Sequence, residues 1–210
     1  MIDPMEATPG LRERKKQRTR QAIVEAALEL FAERGFEGTT IAQIAEAAEI
    51  APRTFFAYFP SKDDVVFHDF EENYAMLASW LEDREPGENA FDALRTGVRT
   101  AFAETGKPDA AELREKRLRK RLIRENESLT AHSEHLRGKF GELIGEAVAE
   151  DLGDQPDDLR PRLVAAAAAA AISVLDDLPE GDPVEHSVET FESLLAFLRG
   201  GLAALQEQSA

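Results

Sequence analysis

Apolar residues recur at helical spacing through nearly the whole chain, and no alternating strand pattern of useful length interrupts them. That periodicity predicts an all-α fold, and the breaks between the apolar stripes predict about nine helices. The first runs from about Arg12 to Arg34, with Ile23, Ala27, Leu30 and Phe31 on one face and Gly35 as its C-terminal cap. Thr40 opens the second, with Gln43 three residues on as a capping-box partner. Pro52 suits the first position of the third, where its missing N–H costs nothing, and Phe59-Pro60 ends that helix. Ser61 and Asp64 cap a fourth that the spacing carries to about Leu81. Beyond Glu85-Pro86-Gly87, helices are expected at about 89–104, 110–124, 128–152, 158–178 and 184–207. Their separators are Gly106 to Pro108, Gly153 to Pro156, and Pro179 to Pro183. The chain then divides into a tail (1–11), a small N-terminal unit (12–62) and a larger C-terminal unit (63–210). The fourth helix starts at the seam, where it could act as a lever.

Composition narrows the class. In 210 residues, 43% hydrophobic and 31% charged, there is enough apolar material for a substantial core. Cysteine is absent, which excludes disulfides and thiolate metal sites and suits a reducing interior. No apolar run approaches the roughly 20 residues that cross a bilayer; the longest, Leu163 to Val174, is mostly alanine. Met1 to Pro4 read as an upstream extension before Met5, no secretory signal is visible, and a cytoplasmic location is expected. His132 and His135 stand three apart on a helix, with His68 and His186 elsewhere, but no carboxylate pattern completes a metal site. No metal or cofactor is therefore expected. Neither a Gly-rich phosphate loop, a nucleophile elbow nor an acid–base carboxylate pair stands out, so an all-α enzyme has no site to offer.

A net charge of −16 disfavours indiscriminate binding to nucleic acid, because a polyanion repels phosphates. The distribution changes that reading. Between Leu11 and Arg20 lie Arg12, Arg14, Lys15, Lys16, Arg18 and Arg20 against one acid, Glu13. Such an asymmetry holds DNA at one end of the molecule and keeps it off the other; Arg14 and Arg18 are candidate phosphate contacts. The segment Thr39 to Lys62 that follows reads as two short helices with a tight connection. In a helix-turn-helix the second helix presents its N-terminal side chains to base edges in the major groove. Arg53 stands near the start of Pro52–Tyr58, where it can offer two hydrogen bonds to a guanine edge, worth about 1–3 kcal/mol of discrimination. Thr54 can donate to a phosphate, Ala57 can pack on a thymine methyl, and Tyr58 and Lys62 point at the backbone. Thr40 places a hydroxyl and a helix N-terminus where a phosphate would sit. Ile41, Ile44, Ala45, Ile50, Phe55 and Phe59 form the small core. The bland alternative is a pair of short helices in an all-α domain.

The run ALELFAERGFEGTTIAQIAEAAEIAPRTFFAYFPSKDDVV, together with the basic segment before it, resembles the DNA-binding domain of the tetracycline-repressor (TetR) family over about 50 residues. The resemblance implies an all-α homodimer that binds palindromic double-stranded operator DNA and senses a small-molecule inducer through a divergent C-terminal domain. Carried over by position, Pro52, Arg53, Phe56 and Ala57 would face bases, and Thr40, Thr54, Tyr58 and Lys62 would hold phosphates. Two positions depart from the pattern. Glu49 stands where glycine is frequent in the turn, which implies a strained conformation, and Ala51 replaces a frequent serine cap.

In the C-terminal part, Ala165 to Ala171 offers a smooth surface to a facing helix, with Leu163, Val164, Ile172 and Leu175 alongside. The last helix carries Val188, Phe191, Leu194, Leu195, Phe197, Leu198, Leu202 and Leu205 as a broad stripe. Two such helices per subunit suit a symmetric four-helix interface, with Ala167, Ala168, Ile172, Phe191, Leu194, Leu198 and Leu202 as its candidates; both stripes could instead be buried within one subunit. An inducer pocket would lie among helices four to eight, with Phe67, Phe70, Tyr74, Trp80, Phe91 and Phe102 as lining and Arg95 as a polar anchor, although such stripes also read as plain core. Leu77, Leu94 and Val98 share that spacing, and Arg95 and Arg99, one turn apart, could reach an anionic headgroup or lie exposed. Arg114 to Arg124 holds seven basic side chains, read either as a solvated face pairing with Glu112 and Glu127 or as a basic mouth for an acidic ligand such as a coenzyme A thioester. The expected function is ligand-released repression of transcription; the rival is a regulator of the same fold answering to a protein partner.

Overall fold

A computed structural model describes residues 10–105, 109–176 and 184–207. The tail 1–9 and the separators at 106–108 and 177–183 lie outside the described residues, as do the side chains of Leu175, His186 and Leu205. Every regular element described is helical: α1 (Leu11–Arg34), α2 (Ile41–Ala47), α3 (Pro52–Phe55), α4 (Lys62–Val66), α5 (Phe70–Glu82), α6 (Ala90–Thr105), α7 (Ala110–Glu125), α8 (Glu127–Leu152), α9 (Leu159–Asp176) and α10 (Val184–Glu207). The chain forms two compact units, the first ending at His68 and the second beginning at Asp69.

Ten helices rather than nine follow from one correction. The expected fourth helix from Ser61 to Leu81 is two helices, with a break at Phe67–Asp69 where Phe67 adopts φ −107° and ψ 33°. At this break the His68 carbonyl accepts from the Arg20 guanidinium on α1, a tie that apolar spacing does not reveal. The α5 ladder starts one residue later, where Asn73 N–H donates to the Asp69 carbonyl at 3.0 Å.

In the first unit, Ile23, Val24, Ala27 and Phe31 of α1 pack with Phe36, Ile44, Ala45, Phe55, Phe59, Val65 and Val66, all essentially excluded from solvent. Each large side chain so buried contributes about 1.5–3 kcal/mol. The buried Thr39 hydroxyl donates to the carbonyls of Gly35 (2.9 Å) and Leu30 (3.3 Å), which fixes the chain as it leaves α1.

The second unit is built on α8 and α9, and their sequences explain their closeness. A Cβ at Gly141 would lie 2.4 Å from the Ala165 carbonyl oxygen, and one at Gly145 would lie 2.9 Å from the Ala165 Cβ. Only glycine opposite alanine allows that approach. The alanine run thus receives a facing helix from its own chain. Leu81, Phe91, Leu94, Ile144, Val148, Val164, Ala168, Leu195 and Leu198 make the core, with Leu77, Trp80, Phe191 and Leu202 packed against it. The Trp80 ring lies over α6 where a Cβ at Gly97 would come within 2.2 Å of it. Beside this core, Phe70 and Tyr74 of α5 meet Phe140 of α8, with ring centroids 5.2 and 5.8 Å away.

Candidate nucleic-acid interface

The geometry of Thr39–Lys62 is set by local chemistry at three points. Thr40 caps α2: its hydroxyl accepts from Gln43 N–H at 3.3 Å, while the Gln43 side chain accepts from Thr40 N–H at 2.8 Å. The chain then reverses through Ala48–Ile50, with Ile50 N–H donating to the Ala45 carbonyl at 2.9 Å. Glu49 holds φ +55° there, the one non-glycine residue with positive φ among those described, so the strained turn implied by the departure from glycine is present. Ala51 precedes α3 without a side-chain cap, and Pro52 occupies the first turn.

The regular part of α3 is shorter than Pro52–Tyr58. After Phe55 the bonds tighten, with Ala57 N–H donating to Thr54 at 3.1 Å and Tyr58 N–H to Phe55 at 2.9 Å. Phe59 N–H still reaches the Phe55 carbonyl at 3.0 Å, and Pro60, which disfavours helical backbone at Phe59, ends the segment there. Phe55 and Phe59 anchor the segment in the core, their ring centroids 5.9 Å apart. Pro52, Arg53, Phe56 and Ala57 are left exposed on the other side, with Phe56 57% exposed. Thr54 and Tyr58 are half-buried.

Two cations are engaged within the unit. The Lys62 ammonium donates to the carbonyl oxygens of Phe36 (2.8 Å) and Thr39 (3.3 Å) and sits 4.1 Å from the Phe36 ring centroid. It therefore clamps the α1–α2 loop, a role the spacing of Tyr58 and Lys62 did not suggest. Arg20, counted with the basic segment, turns inward to the His68 carbonyl and lies 4.9 Å from the centroid of Phe59. A signal was present: Arg20 stands three and four residues before the buried Ile23 and Val24, on the inward stripe of α1. Arg14 and Arg18 are exposed on the first turns of the same helix.

The other candidates separate in the structure. Phe70 and Tyr74 belong to the triad with Phe140, whereas Trp80 and Phe91 belong to the core of the second unit. Phe102 is half-buried, Arg95 pairs with Asp92 at 3.0 Å while half exposed, and Phe67 falls in the first unit. Of the expected subunit contacts, Ala168 and Leu198 are buried inside the chain, and Ala167, Phe191 and Leu202 pack against the same core. Those five pack into the intrachain core, the alanines on the helix that α8 approaches closely at Ala165 and Ala169. Ile172 and Leu194 are half-buried, while Leu163, Val174 and Phe197 are exposed. Among the described residues, no group of three His, Asp or Glu could hold a metal ion, and no helix is long and apolar enough to cross a membrane.

Residues 23–68, which span this helix pair, match the bacterial regulatory proteins of the tetR family, and residues 92–203 match the MftR C-terminal domain. The regulator TcmR of Streptomyces glaucescens is 34% identical over 205 residues, covering 93% of this chain and 89% of that one. The chain belongs to the TetR family. It is accordingly a DNA-binding transcriptional regulator, in a family whose members are not enzymes. A second relative, named as the mycofactocin biosynthesis transcriptional regulator MftR of Mycobacterium tuberculosis (strain ATCC 25618 / H37Rv), is 34% identical over 152 residues, covering 72% of this chain and 75% of that one. Salmonella enterica GusR, 20% identical, shares the fold with a TM-score of 0.50, covering 95% of this chain and 100% of that one.

Proposed function

We propose that this TetR-family regulator is a homodimeric repressor that grips a palindromic operator and releases it when a small apolar molecule binds the second unit. The observation that carries the DNA reading is the two-sided α3 segment. Phe55 and Phe59 are buried, which immobilises the backbone, while Pro52, Arg53, Phe56 and Ala57 stand exposed together on a rigid base. A preformed surface loses little entropy on binding. In this reading Arg53 reads a guanine edge, Phe56 and Ala57 meet apolar base surface, and Thr54, Tyr58, Arg14 and Arg18 touch phosphates. Thr40 and Lys62 act with their caps and carbonyl bonds kept. Arg53→Ala should flatten base preference at one position of each half-site by about 1–3 kcal/mol, read as the affinity ratio between operator and point-mutated operator at fixed salt. An unchanged ratio would remove Arg53 from that role.

The aromatic triad of Phe70, Tyr74 and Phe140 and the half-buried Trp80 and Phe102 supply the apolar surface an inducer of this kind needs. A ligand shifts the operator equilibrium only by its difference in affinity for the two states. An inducer should therefore weaken operator binding about 5–150-fold, the usual span of allosteric coupling. Titrating a panel of apolar metabolites and acyl-coenzyme A thioesters against the operator complex tests this. Uniform indifference across the panel would favour control by a protein partner.

A further inference from the structure

From Asp69 onward the chain carries thirty of the 41 acidic residues and only sixteen of the 25 basic ones, yet seven of those sixteen crowd into the eleven residues Arg114–Arg124 on α7. Helical geometry sorts them. Arg114, Arg117, Arg121 and Arg124 fall at i, i+3, i+7 and i+10, one stripe, with Lys116 and Lys120 beside it. All four arginines are exposed. The opposite side of α7 faces the fold: Leu122 is buried, and Arg119 donates both guanidinium nitrogens to the Asp69 carboxylate at 2.6 and 2.9 Å. Acids on this helix lie mostly off the stripe. Glu112 closes the capping box with Asp109, Glu115 lies 3.8 Å from Arg119, and Glu125 only flanks the C-terminal end. Asp109 is held below the usual carboxylate range by the N–H groups of Glu112 and Ala111, which secures the start of the helix.

Like charges one turn apart cost a helix about 0.2–0.5 kcal/mol per pair. At i, i+3, i+7 and i+10 the sequence of α7 sets arginine each time, so positive charge is concentrated on one exposed face. Four arginines over ten residues span about 15 Å at 1.5 Å per residue. One strand of duplex DNA presents a phosphate about every 3.4 Å of axis while winding round it, so more than one comes within reach of a stripe that long. The planar guanidinium fork matches phosphate oxygens better than lysine does. We infer that the arginine stripe of α7 is a second, sequence-independent contact for the sugar–phosphate backbone of duplex DNA, separate from the α3 surface. It gives one positive face to a unit that stays acidic as a whole. The inference rests on the DNA-binding reading of the chain, and its occupant is chosen by charge: the polyanion this regulator works on.

The test uses the full chain with Arg114, Arg117, Arg121 and Arg124 all changed to Gln, Arg119 being kept for its bond to Asp69. Affinity for an operator duplex and an unrelated duplex is measured between 50 and 200 mM salt. The slope of log affinity against log salt should fall by about 0.9 for each phosphate that the variant no longer neutralises, so by one to four per bound chain, with the operator-to-unrelated ratio unchanged. A photo-crosslinking residue at position 121 should label DNA. An unchanged slope, or cross-links confined to carboxylate-bearing segments of this chain or a second copy, would overturn the inference. Should the fourfold variant misfold, the pair Arg117→Gln and Arg121→Gln, together with the cross-link, decides in the same way. Loss of selectivity confined to Arg53→Ala, with no slope change in the stripe variant, would sink this inference and leave the α3 reading standing.

Discussion

Glu49 shows how one backbone angle is set by geometry rather than preference. Its φ of +55° costs a residue with a Cβ about 1–2 kcal/mol, and glycine's greater unfolded-state entropy takes back about 0.5–1. Glu49→Gly should therefore stabilise the first unit by about 0.5–1 kcal/mol, seen as a higher urea midpoint at unchanged slope; a lower midpoint would show that the turn is not strained. That turn was legible in the sequence, because it depends on residues within a few positions of Glu49. So were the Thr40–Gln43 and Ser61–Asp64 caps, whose partners stand three apart. Lys62 and Arg20 were not. Their partners, Phe36 and His68, lie 26 and 48 residues away, and a cation near a DNA-reading helix suggests phosphate before it suggests a carbonyl.

At the scale of elements, the same apolar stripe reads equally well as intrachain core or subunit contact, and spacing alone cannot separate the two. The alanine run of α9 illustrates this: its smoothness suits a partner subunit, yet it faces Gly141 and Gly145 of α8 in the fold. Two glycines four residues apart were the overlooked sign, since they mark where a helix is approached closely. Gly141→Val would force the Ala165 carbonyl away and should cost about 1–3 kcal/mol or more. Gly138→Ala, on the same helix with nothing within 4 Å of its added Cβ, should instead gain about 0.5–1 kcal/mol. Chemical denaturation of the two variants separates close packing from mere helix propensity. Equal effects would mean α8 and α9 stand further apart. The broken fourth helix belongs at this scale too, since apolar spacing continues through Phe67–Asp69 while the backbone does not.

For the molecule as a whole, sorting the last two helices by exposure moves the expected dimer surface. Leu198 is 6% exposed, so Leu198→Glu buries a charge and should unfold the second unit. Phe197, its neighbour in sequence and 73% exposed, is the better probe. Phe197→Glu combined with Leu163→Glu should keep the fold by circular dichroism yet sediment as a monomer with weakened operator binding. A variant that stays dimeric would place the interface elsewhere. The packing of Trp80 over Gly97 has a practical corollary. It is the sole tryptophan of the chain, and it lies in the second unit. Intrinsic indole fluorescence is therefore an optical channel private to the second unit: any molecule settling beside α5 and α6 would shift its emission, whereas rearrangements confined to the first unit would leave it unchanged.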